Sequence, residues 1–76
     1  MRTGELKLRS VLMIALEEHI KRKGWSQSEA ARRFSVTQPR VSDLMRGKIN
    51  LFGLDTLVNM AVAAGLQVEI RIAEAA

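Results

Sequence analysis

The chain has no cysteine, a single histidine and a single proline among 76 residues, and these shortages close off whole classes of chemistry. Without cysteine there is no disulfide, thiolate metal site or cysteine nucleophile, a composition that suits a reducing cytoplasm. His19 alone cannot build a metal cluster of the usual spacing. There is no Ser-His-Asp arrangement and no phosphate-cradling glycine loop, and so short a chain has scant volume for a substrate pocket. The expectation is therefore a protein that is not an enzyme, with no catalytic residues, no metal and no cofactor. Long apolar runs are missing too. No stretch approaches the ~20 apolar residues a bilayer span requires, so no membrane association is expected. The run Val11 to Leu16 is short, leads into Glu17-Glu18 and lacks a signal-peptide cleavage pattern, which places the expected location in the cytoplasm.

What is present is basic and helical. The formal net charge is +4, unevenly spread. Between Lys21 and Lys48 eight basic residues face two acidic ones, a local balance of +6 that leaves −2 for the rest of the chain. Positive charge at that density suits a phosphate-binding face. The length allows one domain. A chain this small buries only about 60% of its unfolded surface, so a partner subunit would add useful area.

Apolar positions from Leu6 or Leu8 to about Lys23 (Leu8, Val11, Leu12, Ala15, Leu16, Ile20) follow helical spacing. Met1 to Glu5 are expected to fray. Glu17 with Lys21, and Glu18 with Arg22, form i,i+4 pairs in the favourable order. Lys21 to Lys23 suit the negative end of the helix dipole, and Gly24 ends the helix. Trp25 stands before Ser26 as a hydrophobic staple, and Ser26 with Glu29 reads as a capping box opening a second helix from Gln27. Apolar or small residues at Ala30, Ala31, Phe34, Val36, Val41 and Leu44 describe two helices sharing one core, with the break at Ser35 to Thr37. Thr37 caps a third helix whose first residues include Pro39, tolerated because early helical amides have no internal partner. That helix stops at Arg46-Gly47. Ala31 is small enough to let the two helices cross. A fourth helix begins near Gly53 or Leu54, presents Leu54, Leu57, Val58, Ala61 and Val62, and closes at Gly65, with Ile49 and Phe52 plugging the base of the core. Met13, Ile14 and Met60 fall off these stripes and suit extra core, a dimer contact or a partner surface equally. His19 reads as a boundary residue.

After Leu66 the period changes. Gln67 to Ile72 alternates polar and apolar residues and is rich in β-branched side chains, which predicts a short C-terminal β-strand. A lone strand cannot satisfy its backbone, and the favoured partner is the same strand of a second copy, through Val68, Ile70 and Ile72. The alternatives are an extended arm docked on the first helix, or pairing with Thr3 to Leu6. The organisation expected is residues 1–66 as a helix-turn-helix DNA-binding domain and 67–76 as a dimerising tail.

In a helix-turn-helix the second helix of the pair enters the major groove with its amino-terminal residues at base edges. Gln38 can donate and accept together, matching the N6/N7 edge of adenine, and Arg40 can fork onto guanine O6/N7 or a phosphate. Thr37 and Pro39 offer carbon to thymine methyls. Ser42 and Asp43 lie a turn further, Asp43 being suited to accept from cytosine N4, to repel wrong sequences or to hold Arg40 or Arg46. Gln27 at a helix amino terminus, and Arg46 and Lys48 around the Gly47 turn, suit backbone phosphates. Arg32 and Arg33 default to a solvated face.

The blocks Ser26-Gln27-Ser28-Glu29-Ala30-Ala31 and Val36-Thr37-Gln38-Pro39-Arg40-Val41-Ser42, with the ending Gly47-Lys48, resemble the lambda-repressor-like (XRE, Cro-type) helix-turn-helix family over about Leu8 to Leu66. The run Thr37 to Lys48, followed by Leu51-Phe52 and Leu57-Val58-Asn59-Met60, is similar to the HigA-like antitoxin branch. The resemblance implies an all-α fold of four or five helices and a homodimer on a pseudo-palindromic operator in double-stranded DNA. It also implies a transcriptional regulator, a repressor by the family's habit, that can autoregulate an operon carrying a toxin partner. It places the phosphate contact at Gln27 and the base-reading surface at Thr37, Gln38, Pro39, Ser42 and Asp43. Two positions depart from the family: Ser35 stands where glycine is frequent, so a non-glycine residue is expected in a left-handed conformation, and Pro39 replaces a hydrogen-bonding side chain, so the operator preference of other members does not transfer. The rival reading from a different class is a protein-interaction module that neutralises a toxin, with DNA binding secondary or lost.

Overall fold

A computed structural model describes residues 3–74. Four α-helices are joined by short connections: α1 (Thr3–Lys23), α2 (Gln27–Phe34), α3 (Gln38–Met45) and α4 (Leu54–Ala63), with a 3-10 turn, η1 (Ile49–Leu51), between α3 and α4. The starts of α2, α3 and α4 and the ends of all four helices fall where capping and glycine signals place them. The first helix begins earlier than expected: Thr3 to Glu5 are helical where fraying was anticipated, while Met1 and Arg2 lie outside the described residues.

Every helix stops the same way. A backbone amide two or three residues past the end reaches back to the carbonyl five residues before it: Trp25 to Ile20 (3.1 Å), Val36 to Ala31 (2.9 Å), Lys48 to Asp43 (3.1 Å) and Leu66 to Ala61 (2.9 Å). This six-to-one closure needs a left-handed residue in between. Three of the four are glycines, and the fourth is Ser35, at φ 60°, ψ 44°. A side chain in that region costs about 1 kcal/mol or more. Ser35→Gly is accordingly expected to stabilise the fold by up to about 1 kcal/mol, seen as a higher urea midpoint at unchanged slope. An unchanged or lower midpoint would show that the left-handed serine costs nothing here. Three of the four closures also set an apolar pair across the end of the helix; at the end of α3 the pair is Lys48 and Asp43, whose Nζ and Oδ1 lie 3.8 Å apart.

The core is formed by Met13, Leu16, Ile20, Ala30, Ala31, Phe34, Val41, Leu44, Phe52, Leu57, Met60 and Ala61. On α1 the buried stripe is displaced from the one expected. Leu8, Val11 and Ala15 are exposed, whereas Met13 is buried, so the inward face runs Arg9, Met13, Leu16, Ile20. The reason is that α1 is apolar on two sides, and the packing of α4, α3 and η1 against it decides which side is covered. Met13 and Met60 are core; Ile14 is half exposed. Phe52 is buried and Ile49 packs beside it, as plugs of the core base. Ala31, at the crossing of α2 and α3, is buried.

The β-strand anticipated over Gln67 to Ile72 is absent: the described residues after Gly65 carry no regular secondary structure, and no described residue is in a strand. A strand exists only as part of a ladder, and this single chain offers none. The segment starts instead as an arm on α1. Leu66 and Val68 pack on the core, lining a small cavity with Leu12, Ala15 and Leu16, while Ile70 and Ile72 project from it, 58% and 95% exposed.

Local electrostatics also differ in detail. Glu17–Lys21 and Glu18–Arg22 do not close among the described ion pairs; Arg22 Nη2 instead points at His19 Nδ1, 3.4 Å away. His19 is 7% exposed and edge-on to Trp25, with centroids 5.1 Å apart, so it is a core residue and not a boundary one. Burial, then Arg22 and Lys23, push its pKa below the ordinary 6.5. A depressed histidine pKa favours folding fully above the unfolded value, and that contribution is lost as pH falls from about 6.5 through the folded value. The thermal midpoint is therefore expected to drop between pH 7 and pH 5, and His19→Gln should flatten that limb of the curve. An equally steep fall in the variant would assign the acid sensitivity elsewhere.

Candidate nucleic-acid interface

The surface around the α2–α3 turn is built by two capped helix starts. Ser26 Oγ accepts from the Glu29 amide at 3.1 Å, and Thr37 Oγ1 accepts from the Arg40 amide at 3.4 Å. Only half of the expected capping box forms, because the Glu29 carboxylate turns outward to Arg32 Nη2 (2.6 Å) and Arg33 Nε (2.6 Å). Those charge-assisted bonds, Arg32 first and then Arg33, hold the Glu29 carboxyl below its usual range. Arg33 also lies 5.3 Å over the Trp25 ring. Two of the basic residues in the middle of the chain are thus partly neutralised on α2.

The first residues of both helices face solvent. Gln27, the opening residue of α2, is exposed, as are Thr37, Gln38 and Pro39 at the start of α3. Behind them Val41 and Leu44 are completely buried, so the α3 face opposite the exposed edge is clamped in the core. Ser42 and Asp43, one turn on, are half buried. Arg46 and Lys48 are exposed on either side of Gly47, which takes φ 71° to reverse the chain. Asp43 pairs with Lys48 and with neither Arg40 nor Arg46.

Arg40 departs most from its expected placement. Its Nη1 donates to the Leu51 carbonyl at 3.0 Å and its guanidinium sits 5.3 Å from the Phe52 ring centroid. It is half buried and turned toward η1, away from the Gln38 edge. Arg9, which the sequence reading passed over, approaches the same segment from α1, donating from Nη1 to the carbonyls of Ile49 (3.4 Å) and Phe52 (3.3 Å), with its buried Nε unpaired. Its position in line with Met13, Leu16 and Ile20 was the available signal: an arginine heading a buried stripe needs acceptors, and the nearest spare carbonyls belong to a short turn.

Among the described residues no group of three histidine, cysteine, aspartate or glutamate side chains could hold a metal. Within the same residues no helix is long and apolar enough to cross a membrane.

Two short, capped helices around a three-residue turn, buttressed by α1 and α4, with the start of the second helix bared to solvent, define a helix-turn-helix domain. Comparison with known proteins agrees: a family profile described as a helix-turn-helix domain matches residues 1–73. Superposition on solved structures finds the "Putative XRE Family Transcriptional Regulator", with a TM-score of 0.89 and 32% identity over 99% of this chain and 84% of that one. No curated protein sequence matches the chain. The chain belongs to the helix-turn-helix domain family, and within it to the XRE type.

Proposed function

We propose that this protein is a sequence-specific DNA-binding transcriptional regulator, a repressor that acts as a symmetric dimer on a pseudo-palindromic operator. The reading is carried by one observation: the amino-terminal edge of α3, Thr37, Gln38 and Pro39, is solvent-exposed while the opposite side of the same helix is fully buried. A helix held in that way offers its first turn to a groove. Gln38 is the principal base reader, with Thr37 and Pro39 beside it and Ser42 and Asp43 at the margin. Gln27, Arg46 and Lys48 bind phosphates, and the local +6 between Lys21 and Lys48 draws the duplex in. The name of the structural relative, a transcriptional regulator, supports the same assignment.

The dimer places two α3 helices in successive major grooves about 34 Å apart. Ile70 and Ile72, exposed and spaced at period two, are the pairing surface with Val68 as its root; strand formation then waits on the second copy. Resemblance of the Thr37 to Lys48 block to HigA-like proteins supports an antitoxin role with autorepression and a toxin partner in the cytoplasm.

Selection of bound duplexes from a random pool tests the reading directly. An enriched, two-fold symmetric consensus is expected, with affinity falling steeply as salt rises. No consensus would end the proposal. Truncation after Leu66 is expected to convert the dimer to monomer in sedimentation; an unchanged dimer would remove Val68, Ile70 and Ile72 from the interface.

A further inference from the structure

We propose that Arg40 is a positioning residue for DNA reading, a clasp that fixes the first turn of α3 against the η1 turn and touches neither base nor phosphate. The inference rests on the DNA-binding reading above and concerns how its recognition edge is aimed.

A guanidinium that forks onto guanine or phosphate must present a free edge of two donors. Arg40 spends an Nη1 donor on the Leu51 carbonyl and lays its face against the Phe52 ring, which turns the group toward η1 and leaves only its Nε–Nη2 edge without a partner in the protein. Both anchors lie in the one segment that Arg9 grips from the opposite side, through the carbonyls of Ile49 and Phe52. The carbonyls of residues 49, 51 and 52 are therefore all held by guanidinium groups, two of them by Arg9 of α1 and one by Arg40 of α3. The three-residue turn between them has no side-chain cap of its own, so these bonds join the buried Phe52 and the packed Ile49 in fixing its place.

Arg40 is the third residue of α3, one turn from the Thr37 cap and two residues after Gln38. The far end of α3 joins the same segment covalently through Gly47, where the Lys48 amide closes on the Asp43 carbonyl and the Lys48 ammonium on its carboxylate. The helix is thus tied to residues 48–52 at both ends. Remove Arg40 and the first turn keeps only Val41 beneath it and the Thr37 cap, free to tilt the Gln38 side chain off its base. A side chain that reads DNA must be held to within about half an ångström by its supports.

The test compares wild type, R40A and R40K on the selected operator, on scrambled duplex and across a salt series, below the unfolding transition of each variant. As with the loss of supporting contacts in other sites, R40A is expected to lose about tenfold in operator affinity, with the consensus and the salt slope kept. R40K should lose as much, because an ammonium carries the charge without the planar fork. Ile20→Val, a core change remote from the clasp, serves as a control that lowers thermal stability and leaves affinity alone. A salt slope lower by about one in R40A would make Arg40 a phosphate contact, and relaxed preference at one base pair would make it a base reader; either overturns the clasp. So does recovery of affinity in R40K, unchanged affinity in R40A, or an affinity loss in Ile20→Val matching that of R40A. If R40A does not fold, R40K carries the same comparison. A wild-type protein with no consensus at all refutes the DNA reading itself, a result distinct from any of these.

Discussion

Phe34→Ala is expected to leave the chain largely unfolded at 37 °C. Phe34 is the last residue of α2, only 1% exposed, with its ring edge-on to Trp25 at a centroid distance of 5.9 Å. Truncating a buried phenylalanine costs about 3–5 kcal/mol through lost transfer energy and the cavity left behind. The aromatic pair contributes roughly 0.5–1.5 kcal/mol of its own. Against this, a domain of this length has a total stability of about 4 to 11 kcal/mol, so one side chain carries a large fraction of the whole. Urea titration followed by helical circular dichroism measures the loss. A shift under about 1 kcal/mol would mean that the surrounding helices collapse into the space, contrary to a core in which this ring is closely packed.

Gln38→Ala is expected to abolish discrimination at one base pair of each half-site while leaving the fold intact. Gln38 is exposed at the first position of α3 and makes no described side-chain hydrogen bond within the protein, so its removal costs the monomer little. A good bidentate amide-to-adenine contact is worth about 1–3 kcal/mol, which corresponds to roughly 5- to 150-fold in operator affinity. Because the side chain is neutral, the salt slope should not move, and scrambled duplex should bind as before. Competition between operator and scrambled duplex at fixed salt gives the ratio. A ratio equal to that of wild type would take Gln38 out of the readout and leave the exposed edge of α3 without its chief reader.

The two large effects sit on opposite sides of one pair of helices, and the pair was legible for a local reason. Capping and helix termination depend on residues within a turn of one another, so Ser26, Thr37, Gly24, Gly47 and Gly65 mark boundaries without knowledge of the rest of the chain. The left-handed conformation at Ser35 was instead implied by the family resemblance, glycine being frequent at that position, and the six-to-one closure of α2 is what requires it. Exposure of Gln38 and burial of Val41 and Leu44 followed from helical period alone.

Differences from expectation arose where one residue had two acceptable partners. Glu29 fits both a capping box and an ion pair, and the two arginines one and two positions beyond Ala31 win it. Arg40 fits a base, a phosphate or a carbonyl, and the carbonyl of Leu51, eleven residues on, is within reach only after α3 and η1 have packed. The tail alternates like a strand, yet a strand is a property of a paired ladder, so residues 67–72 carry no regular structure, with Val68 packed on the core and two isoleucines facing solvent.

The helix boundaries from the end of α1 onward, the turn between α2 and α3, the exposed amide edge and the basic balance were determined by the sequence alone, because each arises from interactions within about one helical turn or from simple charge count. Tertiary structure alone decided which flank of α1 is buried, where Arg9 and Arg40 spend their donors, and how the tail is housed. Those outcomes depend on which surfaces meet, and groups forty residues apart in the chain come into competition only once the helices have packed.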